Sequence, residues 1–170
     1  MTYLRLLLIV VLVSVVASGC RKRVEVVDSA PPQGALALYE FGVIDSFGID
    51  SEVSPSTPLV VDPYVDDGLF EVYWSATAGR HYTFYLSLGT SRNIDNSVEV
   101  YSEDCGPGKG CGRDGYSICT YTSDFYLSCD GHVWEDISAL FEQVPERLFL
   151  FAEVCDTFRC NYDHRAVIFE

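Results

Sequence analysis

Basic residues are scarce in this chain. Eleven Lys and Arg stand against 25 Asp and Glu in 170 residues, a formal net charge of −14 at pH 7. A surface so short of cations argues against nucleic acid as a partner, because a phosphate backbone has to be neutralised by Lys and Arg. It argues equally against electrostatic adhesion to anionic lipid. Histidine occurs only as His81, His132 and His164. The chain has no G-x-S-x-G, no C-x-x-C, no H-x3-H and no G-x4-G-K-[ST]. The short signatures of serine hydrolases, zinc sites, thiol redox centres and phosphate loops are therefore all missing. Helical periodicity is also rare: only residues 134–143 have room for a helical turn, and Pro145 limits it.

What is present begins with one apolar run. Residues 4–16 are interrupted only by Arg5 and Ser14. A short positive start followed by such a stretch is the pattern of a secretory signal. Counted from Leu6 to Ala17 the run has 12 positions, too few to span hydrocarbon, which takes about 20. It ends in the small residues Ala17, Ser18 and Gly19, followed by Cys20. The stretch Val16-Ala17-Ser18-Gly19-Cys20 resembles the lipobox of bacterial lipoproteins, with Ala17 standing where that family usually has Leu. The resemblance implies that residues 1–19 are removed and that Cys20 becomes the acylated first residue of the mature form. More than one acyl chain gives stable attachment, at about 0.8 kcal/mol per buried methylene. Position 21 is Arg, not the Asp by which such lipoproteins are commonly kept in the inner membrane. The resemblance therefore points to the outer membrane in a host that has one. Residues 20–34, with charge first and Pro31-Pro32 later, read as a lipid anchor and flexible tether reaching roughly 40 Å at about 3.1 Å per residue.

Seven cysteines are present. With Cys20 lipidated, six remain: Cys105, Cys111, Cys119, Cys129, Cys155 and Cys160. An even remainder in an exported chain implies a disulfide framework, for which six cysteines allow fifteen connectivities. We favour the local set, 105–111, 119–129 and 155–160. The rival, a thiolate metal site, lacks the usual ligand spacing.

Beyond Gly34 the dominant period is two. Phe70, Val72, Trp74 and Ala76 alternate with Glu71, Tyr73 and Ser75; Tyr82, Phe84, Leu86 and Leu88 alternate with Thr83, Tyr85 and Ser87. Residues 77–81 are short enough to join these two runs as a hairpin. Further strands are expected at 35–44, 59–61, around Val98 and Val100, at 115–121, 125–129, 148–155 and 166–169. Residues 148–155, apolar on both faces until Glu153, suit a central strand. Residues 35–170 thus read as one all-β domain, a disulfide-stapled β-sandwich. Phe70–Trp74, Tyr82–Tyr85 and Leu148–Val154 loosely resemble core strands of immunoglobulin-like and fibronectin type III sandwiches, although the cysteines do not flank Trp74 as in antibody domains.

Candidate sites are few, and no catalytic residue or cofactor is assigned. Asp62, Asp66 and Asp67 precede Gly68 and offer hard oxygen ligands, yet their spacing is not that of a Ca²⁺ loop, and a solvated acidic turn is the simpler reading. Gly106–Cys111 is glycine-rich but bracketed by cysteines, which suits a closed turn. Tyr73, Tyr85 and Tyr101 fall on the polar faces of their strands and are the candidate binding residues, since exposed tyrosines give contact area to protein or sugar. The expected function is a binding or structural role in the cell envelope, anchored in the membrane by lipid, with an envelope protein or a glycan as partner. The alternative is an extracytoplasmic hydrolase using a carboxylate pair or a weakly bound metal.

Overall fold

The period-two pattern becomes eleven strands in the computed structural model, which describes residues 22–25, 35–77 and 81–170. In chain order they are β1 (Lys22–Glu25), β2 (Leu38–Ile44), β3 (Leu59–Val61), β4 (Leu69–Ala76), β5 (Tyr82–Gly89), β6 (Val98–Cys105), β7 (Asp114–Tyr121), β8 (Tyr126–Cys129), β9 (Glu135–Asp136), β10 (Glu146–Cys155) and β11 (Arg159–Phe169). The first sheet runs β1-β11-β10-β5-β6, with β3 also pairing with β11. The second runs β2-β4-β7-β8-β9. Residues 134–143 supply a single 3-10 turn, Ser138–Leu140. The signal segment and Cys20 lie outside the described residues. Lys22–Glu25, within the segment expected as a tether, pairs in parallel with the start of β11.

The two sheets bury their apolar faces against each other. From the second sheet come Phe41, Val43, Phe70, Val72 and Trp74; the first answers with Phe84, Leu86, Leu88, Leu148, Leu150 and Val154. At the centre the rings of Trp74 and Phe84 stack with centroids 3.5 Å apart and planes within 4°. A second aromatic knot joins Phe70, Tyr121 and Phe141 around Phe169, which meets Tyr121 edge-on at 5.0 Å. Each such pair adds about 0.5–1.5 kcal/mol beyond its buried area. β10 is central, between β11 and β5, which explains why both its faces are apolar.

One expectation is overturned. Residues 77–81 do not close a hairpin: β4 pairs with β2 and β7, whereas β5 pairs with β10 and β6. The connection crosses between sheets. Paired side by side, Trp74 and Phe84 would be neighbours on one face; in opposite sheets they bury each other.

All three favoured disulfides are present, Cys105–Cys111, Cys119–Cys129 and Cys155–Cys160, with Cα separations of 4.6, 4.0 and 4.1 Å. Cys119 and Cys129 face each other across β7 and β8, and Cys155 and Cys160 across β10 and β11. Each bond pins a hairpin end or a local loop, and none joins the sheets.

Glycine is required where Trp74 lies across the neighbouring strand. Gly115 is its cross-strand partner, and a Cβ there would sit 2.1 Å from the indole carbons. Gly115→Ala is expected to lower stability by about 1–3 kcal/mol through overpacking. Gly112→Ala, with nothing within 4 Å, serves as the control. Urea denaturation measures both, and equal midpoints would contradict the packing account.

Candidate functional site

The candidate tyrosines separate. Tyr73 lies on the outer face of the second sheet and Tyr85 on the outer face of the first, both half-buried, so they cannot share a surface. Tyr101 is a correction: it is not exposed at all, with 5% of its surface accessible. The register of β6 against β5 shifts between Leu86 and Ser87, leaving Val100 as the extra residue of a β-bulge, and both Val100 and Tyr101 turn inward.

Tyr101 has a structural task. Its hydroxyl lies 3.0 Å from Glu103 Oε2 and 3.0 Å from Asp130 Oδ2. Asp130 also accepts from the Ser117 hydroxyl at 2.6 Å and from the Ile118 amide at 2.9 Å. This network ties β6 of one sheet to the β7–β8 end of the other. Two carboxylates thus meet at one point, but a tyrosine hydroxyl stands between them, where an enzyme would need room for a scissile bond.

Asp62, Asp66 and Asp67 do not gather into a metal cradle. Asp62 Oδ1 accepts from the Tyr64 amide at 2.8 Å. Asp66 and Asp67 are exposed and adopt positive φ, 49° and 55°. Gly68 follows at φ 73°, and a Cβ there would strike the Tyr121 carbonyl oxygen at 2.0 Å. The segment is a tight turn packed under β7. Two other groups, Glu103 with Cys105 and Cys111, and Glu153 with Cys155 and Cys160, bring ligand-type atoms within 4.8 Å, but their sulfurs are joined in disulfides. Lys109, in the glycine-rich loop, pairs with Asp104 at 3.6 Å. His132 stands edge-on to Tyr101 at 5.2 Å, and His164 lies against Phe149 and Phe151 at 5.8 and 5.7 Å.

The outer face of the second sheet carries an exposed apolar strip. Tyr73 is directly opposite Tyr116, and Glu71 opposite Ile118 and Ile44. The Tyr73 ring covers Gly42, where a Cβ would lie 2.0 Å from Cζ. Its hydroxyl donates to Asp50 Oδ1 at 2.7 Å. The ring is therefore fixed before any partner arrives. Tyr116 is 50% exposed and Ile118 44%, so the pinned ring and its two neighbours form a flat apolar strip. Residues 114–121 alternate cleanly between exposed and buried; that alternation was the sequence signal for Tyr116 and Ile118, which the tyrosine choice passed over. Compared with models of known protein families, with curated proteins and with solved structures, the chain matches none.

Several phenols are shifted. Burial, then the hydrogen bond to Asp50, raises Tyr73; burial, then Asp130, raises Tyr101. Burial pushes Tyr121 up to about 12. A raised folded pKa means that the neutral phenol is favoured in the native state. The stability this contributes is complete below the unfolded value of about 10 and is lost as pH rises through the folded value. Alkaline titration followed by phenolate absorbance should show one group of tyrosines ionising at ordinary pH and a second ionising only as near-ultraviolet circular dichroism collapses. Ionisation of every tyrosine at the ordinary value, with the fold intact, would refute this.

Proposed function

We propose that this chain is a lipid-anchored lipoprotein of the bacterial cell envelope whose β-sandwich is a binding module. The observation that carries the binding role is the strip on the second sheet, where exposed Tyr116 and Ile118 flank a Tyr73 ring already fixed by Asp50 and Gly42. Rigid aromatic residues bind with little loss of conformational freedom, which is why they dominate contact energy at interfaces. The anchor is carried by the resemblance of Val16–Cys20 to a lipobox. Three local disulfides suit an oxidising compartment outside the cytoplasm. With Arg at position 21, the outer membrane is the proposed site in a host that has one. The partner is an envelope protein or a glycan. The hydrolase alternative has one specific observation behind it, the meeting of Glu103 and Asp130, and that point is filled by Tyr101.

Two measurements test this reading. Intact mass and a non-reducing peptide map of the membrane-extracted protein should show an acylated N-terminal Cys20 and three disulfides, and Cys20→Ser should release the chain from the membrane fraction. An unmodified Cys20 would remove the anchor. In partner cross-linking from the native envelope, the double variant Tyr116→Ala/Ile118→Ser should lose its adducts while its folding free energy stays within about 0.5 kcal/mol of the parent, as expected of exposed sites. Unchanged adducts would remove the strip as the binding surface.

A further inference from the structure

A second surface lies on the other sheet. On the outer edge of β11, residues 163–166 lie between the stretch paired with β1 and the stretch paired with β3. Beside them the 51–59 loop bounds a groove of about 520 Å³, within the size range of small-molecule sites. Its lining includes Glu52, Ser54, Ser56, Thr57, Arg147 and Arg165.

The two arginines differ. Arg165 is committed: it contacts Glu52 at 2.5 Å and Asp163 at 2.7 Å and lies over the Phe41 ring. Arg147 is exposed and, among the described residues, has no carboxylate within 4.0 Å. Its guanidinium stands 6.0 Å from the centre of the Phe149 ring, and Arg92, likewise without a carboxylate, stands 5.7 Å from the same ring. Among the described side chains Lys109 and Arg113 each have an acidic partner. Arg159 has none, but it begins β11, far along the strand from Ile168. In a chain with 25 acidic residues, two guanidiniums with no carboxylate partner among the described residues therefore converge on one ring, and one of them, Arg147, lines the groove. The ring restrains them through a cation–π contact, and a planar guanidinium fork matches a carboxylate or phosphate.

We propose that this groove binds an acidic oligosaccharide, with Arg147 receiving a carboxylate or phosphate on the sugar and the Ser54, Ser56 and Thr57 hydroxyls meeting its hydroxyl groups. Hydroxyl side chains both donate and accept, as sugar hydroxyls do. An extended peptide adding to the edge of β11 would run into β1 at one end and β3 at the other, so a compact ligand fits better than a strand. The site goes beyond the tyrosine strip, which lies on the opposite sheet and does not depend on it.

Titration calorimetry with the full chain tests the assignment, using trigalacturonate, a phosphorylated disaccharide, neutral maltotriose and triglutamate as probes. At least one of the two acidic sugars should bind, more weakly as salt is raised, and the preferred one identifies carboxylate or phosphate as the recognised group. Arg147→Ala should weaken that binding tenfold or more, Arg147→Lys should retain part of it, and Tyr116→Ala should leave it unchanged. Arg147→Gln, which keeps the side-chain stem, replaces the alanine variant should that variant melt early. Binding by neither acidic sugar, full binding by Arg147→Ala, or equal binding of maltotriose would overturn the proposal. Triglutamate binding as tightly as the sugars would overturn it in favour of an acidic protein segment.

Discussion

The contact on which the rest of the molecule depends is the stack of Trp74 on Phe84. It is the point at which the two sheets meet, and it decides that successive strands leave one another. Because β4 and β5 face across the core and do not pair, β5 is free to take β10 and β6 as neighbours, and β4 to take β2 and β7. Gly115 follows from the same contact, since the indole occupies the space a side chain would need. The aromatic knot around Phe169 then closes the end of the sandwich where the last strand returns. Polar ties are added at the margins. Asp45, buried, accepts from the amides of Phe47, Ile49 and Val60, and Tyr101 reaches across to Asp130.

Much of this was legible in the residues. Strict alternation from Phe70 to Ala76 and from Tyr82 to Leu88 marked two strands with the correct inner faces, because a period of two leaves a side chain only two directions. Residues 148–155 announced a central strand through apolar character on both faces. The three local cysteine pairs are the ones formed. What alternation cannot express is which strand a strand pairs with. A short linker reads equally well as a hairpin or a crossover, and the decision rests on a ring-to-ring contact between residues ten positions apart. Tyr101 was misjudged for a related reason: a single bulged residue, Val100, moves everything after it to the other face, and a bulge has no compositional mark here.

The contact surfaces were less visible still. Tyr73 was identifiable as a strand residue on the polar face, but its rigidity depends on Gly42 and Asp50, which the fold brings to it from β2 and the loop beyond. Tyr116 and Ile118 gain meaning only from lying opposite Tyr73 and Glu71. The Arg92–Phe149–Arg147 grouping joins a loop to β10 and could not be read from spacing. Asp66 and Asp67 lie at positive φ in a tight turn, a backbone geometry that the spacing of acidic residues does not reveal.

Every disulfide among the described residues joins one cysteine to the next in the sequence, with separations of 6, 10 and 5 residues. Order of appearance along the chain and order of pairing are therefore the same. With Cys20 acylated, a polypeptide threaded N-terminus first into an oxidising space would offer each remaining thiol its correct partner as the next to emerge, before any later cysteine could compete. In such a space simple sequential oxidation would complete the framework, with no wrong bond to undo and no demand on a disulfide isomerase.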